Sequence, residues 1–183
     1  GMGGSALAAH GVQRLHEDSL AVPLVISRYY LLPGWVNSET LVILSSYSGS
    51  TAETLAALRT ARERQAMLLG LTAGGPLGEE LTSAGAPWYR MVPTHNPCGQ
   101  PRMALGYALF GLLGLLWNAG ILPDAREPSM ALVERLESSL QRLDPGNEVS
   151  PLPHFTSTLV GKGLVIVGSE HLEGSAHILA NQL

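Results

Sequence analysis

Residues 41–64 read LVILSSYSGSTAETLAALRTARER: an unbroken aliphatic run, a turn crowded with hydroxyls, then an alanine-rich stretch of helix formers. This order constrains the fold more than any other feature of the chain. A short aliphatic run without polar alternation is the signature of a strand covered on both faces. A helix beginning directly behind it carries the chain back across one of those faces, which is the opening of a parallel βαβ crossover.

The same unit recurs along the chain. VPLVIS at 22–27, TLVILSS at 40–46, AMLLGLTA at 66–73 and the weaker PWYRMVP at 87–93 are expected strands. A helix over 51–64 and a turn with a short helix in GGPLGEELTSAG separate the last three. Strands alternating with helices predict an α/β fold, a mostly parallel sheet with helices on both faces. The opening GMGGSALAAHGVQRLHE is a glycine turn entering a helix, and the strand that should precede it is missing. THNPCGQP at 94–101 is a loop, and a helix is expected to start near Glu127, with Pro128 in its tolerant first turn and Val133, Leu136, Leu140 and Leu143 on one stripe. The linker DPGNEVSPLP then precedes a fresh strand, KGLVIVGS at 162–169, and a helix in EHLEGSAHILANQL. The expected organisation is a first domain over 1–153 and the start of a second over 154–183.

Composition narrows the function classes. Hydrophobic residues make up 45% of the 183 and charged ones 14%, so a large core is expected rather than disorder. The net charge of −4 gives no broad basic face, which argues against nucleic acid as a partner. Cys98 is the single cysteine and forms no internal disulfide, in keeping with a reducing, cytoplasmic setting. Residues 103–123 carry no charge and reach the length of a membrane span. Their glycines, the closing proline and the soluble-looking flanks favour a helix buried in a core or subunit interface, so no membrane association is expected.

At the carboxyl end of a parallel strand, ligands sit over the sheet edge, and the next helix aims free N–H groups and a partial positive charge at the same place. Ser46, Ser48, Ser50 and Thr51 occupy that turn, with Gly49 letting the backbone pass close. Hydroxyls and helix N–H groups together suit a phosphate. No lysine lies in the turn, so it is not a nucleotide P-loop. The bland alternative is a helix cap at Ser50 or Thr51, which accounts for one hydroxyl rather than several.

Other features leave alternatives open. GMGGSA fits the dinucleotide pattern G-x-G-x-x-A through Gly1, Gly3 and Ala6, but Ser27 and Arg28 stand where an acidic residue would end the next strand. Arg28 could face a 2′-phosphate, so an NADP-binding oxidoreductase is a rival; a close-packing glycine turn is the plain reading. Arg102 could pair with an anionic ligand or intermediate, or be a solvated helix-start residue. No histidine has a partner at metal-ligand spacing, and His95 with Cys98 forms no identifiable nucleophile–base pair. Neither a metal nor a cofactor is expected.

GMGGSA, SSYSGSTAET, QPRMALGY and VIVGSEHLEGSA together resemble the sugar isomerase (SIS) domain, and more narrowly the bifunctional phosphoglucose/phosphomannose isomerase family. The resemblance spans nearly the whole chain. It implies a doubly wound, five-stranded parallel sheet of the SIS type, repeated in two domains, and a homodimer. It implies metal-free interconversion of aldose and ketose 6-phosphates through an enediolate. Ser46, Ser48 and Thr51 would hold the sugar phosphate, Gly4 and Ser5 would line the pocket, and Arg102 would steady the enediolate. In the family the base is a glutamate just after the helix that here reads ILANQL, so it is expected beyond Leu183 and the chain is expected to be a fragment. Ser50 stands where asparagine is usual. A non-catalytic SIS module sensing a sugar phosphate is the alternative from a different functional class.

Overall fold

The computed structural model describes residues 1–183 and forms two compact units, Gly1–Leu122 with Val167–Leu183, and Pro123–Ile166. In the first, a glycine-rich 3-10 turn (Gly3–Ala6) leads into helix α1 (Leu7–Leu15). Strand β1 (Leu41–Ser45), helix α2 (Ala52–Glu63), strand β2 (Met67–Thr72), helix α3 (Gly75–Ser83) and strand β3 (Trp88–Arg90) follow. The three strands make one parallel sheet in the order β1-β2-β3, with Leu41 opposite Met67, Ser45 opposite Leu71, and Gly70 opposite Trp88. Helix α4 (Leu105–Asn118) completes the layers before residue 122, and helix α7 (Glu173–Gln182) joins them later in the chain.

Alternating side chains send β1 into two cores. Val42 and Leu44 pack with Leu58, Ala61, Leu77 and Leu81 beneath α2 and α3. Ile43 lies on the opposite face, where Ala8 and Val12 of α1 meet Leu112, Leu113 and Leu116 of α4. Helices therefore cover both faces, as the aliphatic strands required. Helix α3 comes very close to β2: a Cβ on Gly70 would stand 2.1 Å from Leu81 Cδ1. The uncharged stretch 103–123 supplies the 14-residue α4, roughly 21 Å at 1.5 Å per residue. No helix in the protein is long and apolar enough to cross a membrane.

Two expected strands are corrected. Residues 22–27 and 162–169 belong to no ladder, because neither has a strand beside it. In the second stretch Val165 and Val167 are each 88% exposed, so its aliphatic pattern covers nothing. The sheet thus has three strands where five were expected, and 162–169 does not open a second sheet. Helix α7 instead packs on α1. Gly174 lies so close that a Cβ would meet the His10 carbonyl at 2.8 Å, and Arg14 bonds Glu173 at 2.8 Å. In the other unit, helices α5 (Arg126–Leu143) and α6 (Leu152–Leu159) follow one another, and the α5 stripe of Val133, Leu136, Leu140 and Leu143 is exposed.

His10 sits at the α1–α7 seam. Its ring centroid is 4.8 Å from that of His177, and its Nε2 meets the Arg28 guanidinium. Burial first, then Arg28 and His177, holds the His10 pKa below the ordinary histidine range; Arg14 adds to this and Glu173 opposes it. The folded state therefore prefers neutral His10. Its contribution is complete above the unfolded value of about 6.5 and is lost as pH falls from there through the depressed folded value. Urea midpoints should drop between pH 7.5 and pH 5.5, and His10→Gln should flatten that slope in part. His16, lowered by burial, supplies a remainder of the same sign.

Candidate functional site

The hydroxyl turn after β1 is a rigid object. Ser46 is fully buried; its Oγ lies 2.7 Å from Thr51 Oγ1 and accepts the Gly49 N–H at 3.1 Å. Gly49 has φ +71°, and a Cβ there would stand 1.8 Å from the Gly74 carbonyl, so only glycine lets this turn rest on the β2–α3 turn. The two turns are also stapled through the backbone, Ala73 N–H to Tyr47 O and Leu77 N–H to Gly49 O. Ser48 and Ser50 are exposed on this platform, their hydroxyls 2.9 Å apart. No side chain caps α2: Thr51 occupies the cap position while its hydroxyl faces Ser46. The capping alternative is thereby removed, and the first N–H groups of α2 keep their polarity toward the turn.

Three segments distant in sequence converge on this turn. Ser5 Oγ accepts the Tyr47 N–H at 2.9 Å, and the Ser45 hydroxyl donates to the Ser5 carbonyl at 2.7 Å. Gly4 lies directly on the Pro101–Arg102 backbone, where a Cβ would approach Arg102 N to 2.5 Å. Arg102, in the 3-10 turn Pro101–Met103, is exposed and its guanidinium joins none of the chain's ion pairs. Its carbonyl accepts a bond from Gln182 Nε2 at 3.3 Å, which brings the end of α7 beside it. Gly4, Ser5 and Arg102 are thus joined with the Ser46–Thr51 turn through Tyr47 and the 101–102 backbone. No contact links the Ser48 hydroxyl directly to the Arg102 side chain.

Sequence reasoning missed the post that holds these pieces. Asn96 is 6% exposed; its Nδ2 donates to Tyr47 Oη and to the Gln100 carbonyl, each at 3.0 Å, and its Oδ1 accepts the Cys98 thiol at 3.2 Å. Tyr107 Oη accepts the His95 N–H at 3.0 Å and braces the same loop. Thr94, His95 and Asn96 are alike in a polar loop, so no signal in the sequence set Asn96 apart. Cys98 has no histidine partner. Arg28, the candidate for a 2′-phosphate, is engaged with His10. Nowhere do three or more His, Cys, Asp or Glu side chains gather as a metal would need.

The fold and this cluster define an α/β protein with a hydroxyl-rich turn at the carboxyl end of a parallel sheet. No family model matches the chain. It is similar, at 32% identity over 185 residues, to a bifunctional phosphoglucose/phosphomannose isomerase of Caldicellulosiruptor bescii, an alignment covering all of this chain and 52% of that protein. A protein of the same name from Aquifex aeolicus is 35% identical over 153 residues, 82% of this chain and 44% of the other. A D-glucosamine-6-phosphate 4-epimerase of Sulfolobus acidocaldarius is 38% identical over 88 residues, 48% of this chain and 27% of its own length. The chain belongs to the bifunctional phosphoglucose/phosphomannose isomerase family. It spans about half the length of the curated isomerase relatives it matches.

Neighbouring glycines should answer substitution differently. Gly3 has φ +48° and open space around its missing side chain, so Gly3→Ala should cost only the left-handed backbone penalty, about 1–2 kcal/mol. Gly4→Ala should push the 101–102 turn off the hydroxyl turn. Inorganic phosphate affinity should survive the first change and fall with the second; equal losses would show that the Gly4 contact does not order the site.

Proposed function

We propose that the protein is an aldose–ketose isomerase acting on glucose 6-phosphate and fructose 6-phosphate, and on mannose 6-phosphate as well, and that residues 1–183 supply its phosphate grip and its enediolate-stabilising arginine. The observation that carries this reading is the convergence of Gly4, Ser5 and Arg102 on the Ser46–Thr51 turn. The relatives' names add support, since isomerase and epimerase alike are named for a phosphorylated sugar.

The phosphoryl group docks over the turn, where the exposed Ser48 and Ser50 hydroxyls and the first N–H groups of α2 reach its oxygens. Thr51 exchanges part of its bond to Ser46 for one to phosphate, while the buried Ser46 hydroxyl, still accepting the Gly49 N–H, holds the turn in place. An ionised acceptor makes this exchange favourable, because bonds to charged groups contribute about 1.5–3 kcal/mol against about 1 for neutral ones. Gripping the phosphate fixes the sugar's reacting end without touching it. Gly4 and Ser5 line the wall toward Arg102.

In the reaction a base removes the C2 proton of the aldose, and the C–H electron pair forms the C1–C2 double bond. The carbonyl oxygen takes up the negative charge as an enediolate; the base returns its proton to C1, and transfer of the C2 hydroxyl proton to the C1 oxygen gives the ketose. The Arg102 guanidinium, free of internal ion pairs, is the group that lowers the energy of that oxyanion. The base is a carboxylate contributed by the segment following α7; the Gln182 bond to Arg102 supports this, since it sets the end of that helix beside the arginine. The enzyme works as a cytoplasmic homodimer and its chemistry requires no metal or cofactor.

A second reading, a non-catalytic module that senses a sugar phosphate, keeps the same grip and drops the turnover. Its motivation is that no carboxylate contacts Arg102 within these residues. A family-length protein converting fructose 6-phosphate decides for the enzyme; binding without conversion decides for the module.

Ser48→Ala should weaken fructose 6-phosphate binding by about 1–3 kcal/mol, read by calorimetry. An unchanged Kd would leave the turn without a ligand role. In the family-length protein, Arg102→Ala should lower kcat far more than it raises KM. A matching loss of affinity for inorganic phosphate would instead assign Arg102 to the grip.

A further inference from the structure

Helices α1 and α7 are entered by the same turn. Met2 has φ −119° and ψ 151° and is followed by Gly3 at φ +48°; Ser169 has φ −122° and ψ 155° and is followed by Glu170 at φ +51°. A 3-10 turn and then a helix come next in each case. The two helices lie antiparallel. Arg14, near the end of α1, pairs with Glu173 at the start of α7, while Gln182 at the end of α7 reaches the carbonyl of Arg102, whose backbone Gly4 abuts just before α1. Equivalent positions therefore meet at the middle of the seam. His10 and His177, each seven residues after the left-handed residue of its turn, are the pair that does so, with ring centroids 4.8 Å apart.

Both rings are held as hydrogen-bond acceptors. A guanidinium donates and never accepts, so the His10 Nε2 that faces Arg28 carries no proton. The Asn181 amide nitrogen donates to the His177 carbonyl at 3.0 Å and stands 3.5 Å from His177 Nε2, so that ring nitrogen too is met by a donor. Protonating His10 turns its acceptor into a donor facing a donor and sets two cations together. Protonating His177 opposes its own donor and brings a charge against the His10 ring. Among the charges around the pair, Arg28 and Arg14 disfavour a positive ring and Glu173 favours one. The Glu173 carboxylate is already bonded to Arg14 at 2.8 Å, and Arg14 also holds Glu17. The depressed His10 pKa agrees with this geometry.

Little else holds α7 in place. Gly174 is its one buried residue, seated on the His10 carbonyl and the Gly11 Cα, and Leu179 is 47% exposed. An element that buries so little apolar surface opens at a fraction of the global unfolding free energy, so the polar contacts of the seam decide whether it stays. We infer that His10 and His177 form a proton-sensitive latch. While both rings are neutral, α7 stays docked on α1 and Gln182 stays on the Arg102 carbonyl; protonation frees the helix and that link together. The two histidines are positioning residues, acting on Arg102 only through the helix they retain. The latch governs where α7 lies, so it holds whichever ligand the hydroxyl turn accepts.

The test is amide exchange of the 183-residue chain at pH 7.5 and pH 5.5, each rate referred to the intrinsic rate at that pH. Protection over residues 177–180 should fall by about tenfold or more, while Val42, Leu44 and Leu69 of the sheet keep theirs. In the same protein the ring-proton resonances of His10 and His177 should titrate with midpoints that match the loss. Arg28→Gln should shrink the fall, because it removes the cation His10 faces. His16→Gln combined with His171→Gln should leave the fall unchanged. Rings that titrate while α7 keeps its protection overturn the inference. A loss shared equally by α7 and the sheet overturns it, because the whole fold would then be yielding. An α7 already unprotected at pH 7.5, or a fall abolished by the His16 and His171 changes, overturns it as well.

Discussion

The site depends on one close backbone approach. Gly49, without a side chain, lets the turn after β1 lie against the Gly74 carbonyl, where a Cβ would stand at 1.8 Å. That contact joins two successive strand-to-helix turns into a single surface, secured by the Tyr47 and Gly49 carbonyls. Hydroxyls on a mobile loop lose much of their binding energy to ordering. Here the Ser46 hydroxyl is buried and bonded before any ligand arrives, so the cost of order is borne by folding.

A second close approach extends the surface. Gly4 against the Arg102 backbone connects the first residues of the chain to a turn nearly a hundred positions later, and Ser5 connects them to Tyr47. Asn96 then ties Tyr47 to the Gln100 carbonyl, just before the arginine. The hydroxyl turn and the arginine are therefore held in relation by backbone contact and two amide hydrogen bonds. Long ion pairs across the surface play no part, and such pairs add little in water.

Much of this was legible beforehand. The aliphatic runs placed β1 and β2, and the alanine-rich stretch placed α2, because both signals are local and strong. The hydroxyl turn was visible because parallel strands put ligands at their carboxyl ends. Segments 22–27 and 162–169 misled because aliphatic content shows readiness to pair, while a strand exists only with a neighbour to pair with. Asn96 was invisible for a related reason: its importance comes from burial, which composition does not record. The meeting of Gly4 with Arg102 was likewise a tertiary fact, suggested by family resemblance and by nothing in the spacing.

The hydroxyls of the turn divide into two kinds. Ser46 is sealed in the interior and bonded to the backbone of the turn, whereas Ser48 and Ser50 stand on its outer surface and touch chiefly each other. Change at the outer pair can alter the chemistry presented to a ligand while leaving the platform unharmed. Change at Ser46 or Gly49 attacks the platform itself. A lineage built on this scaffold is free to retune what it holds, position by position, without first having to relearn how to fold.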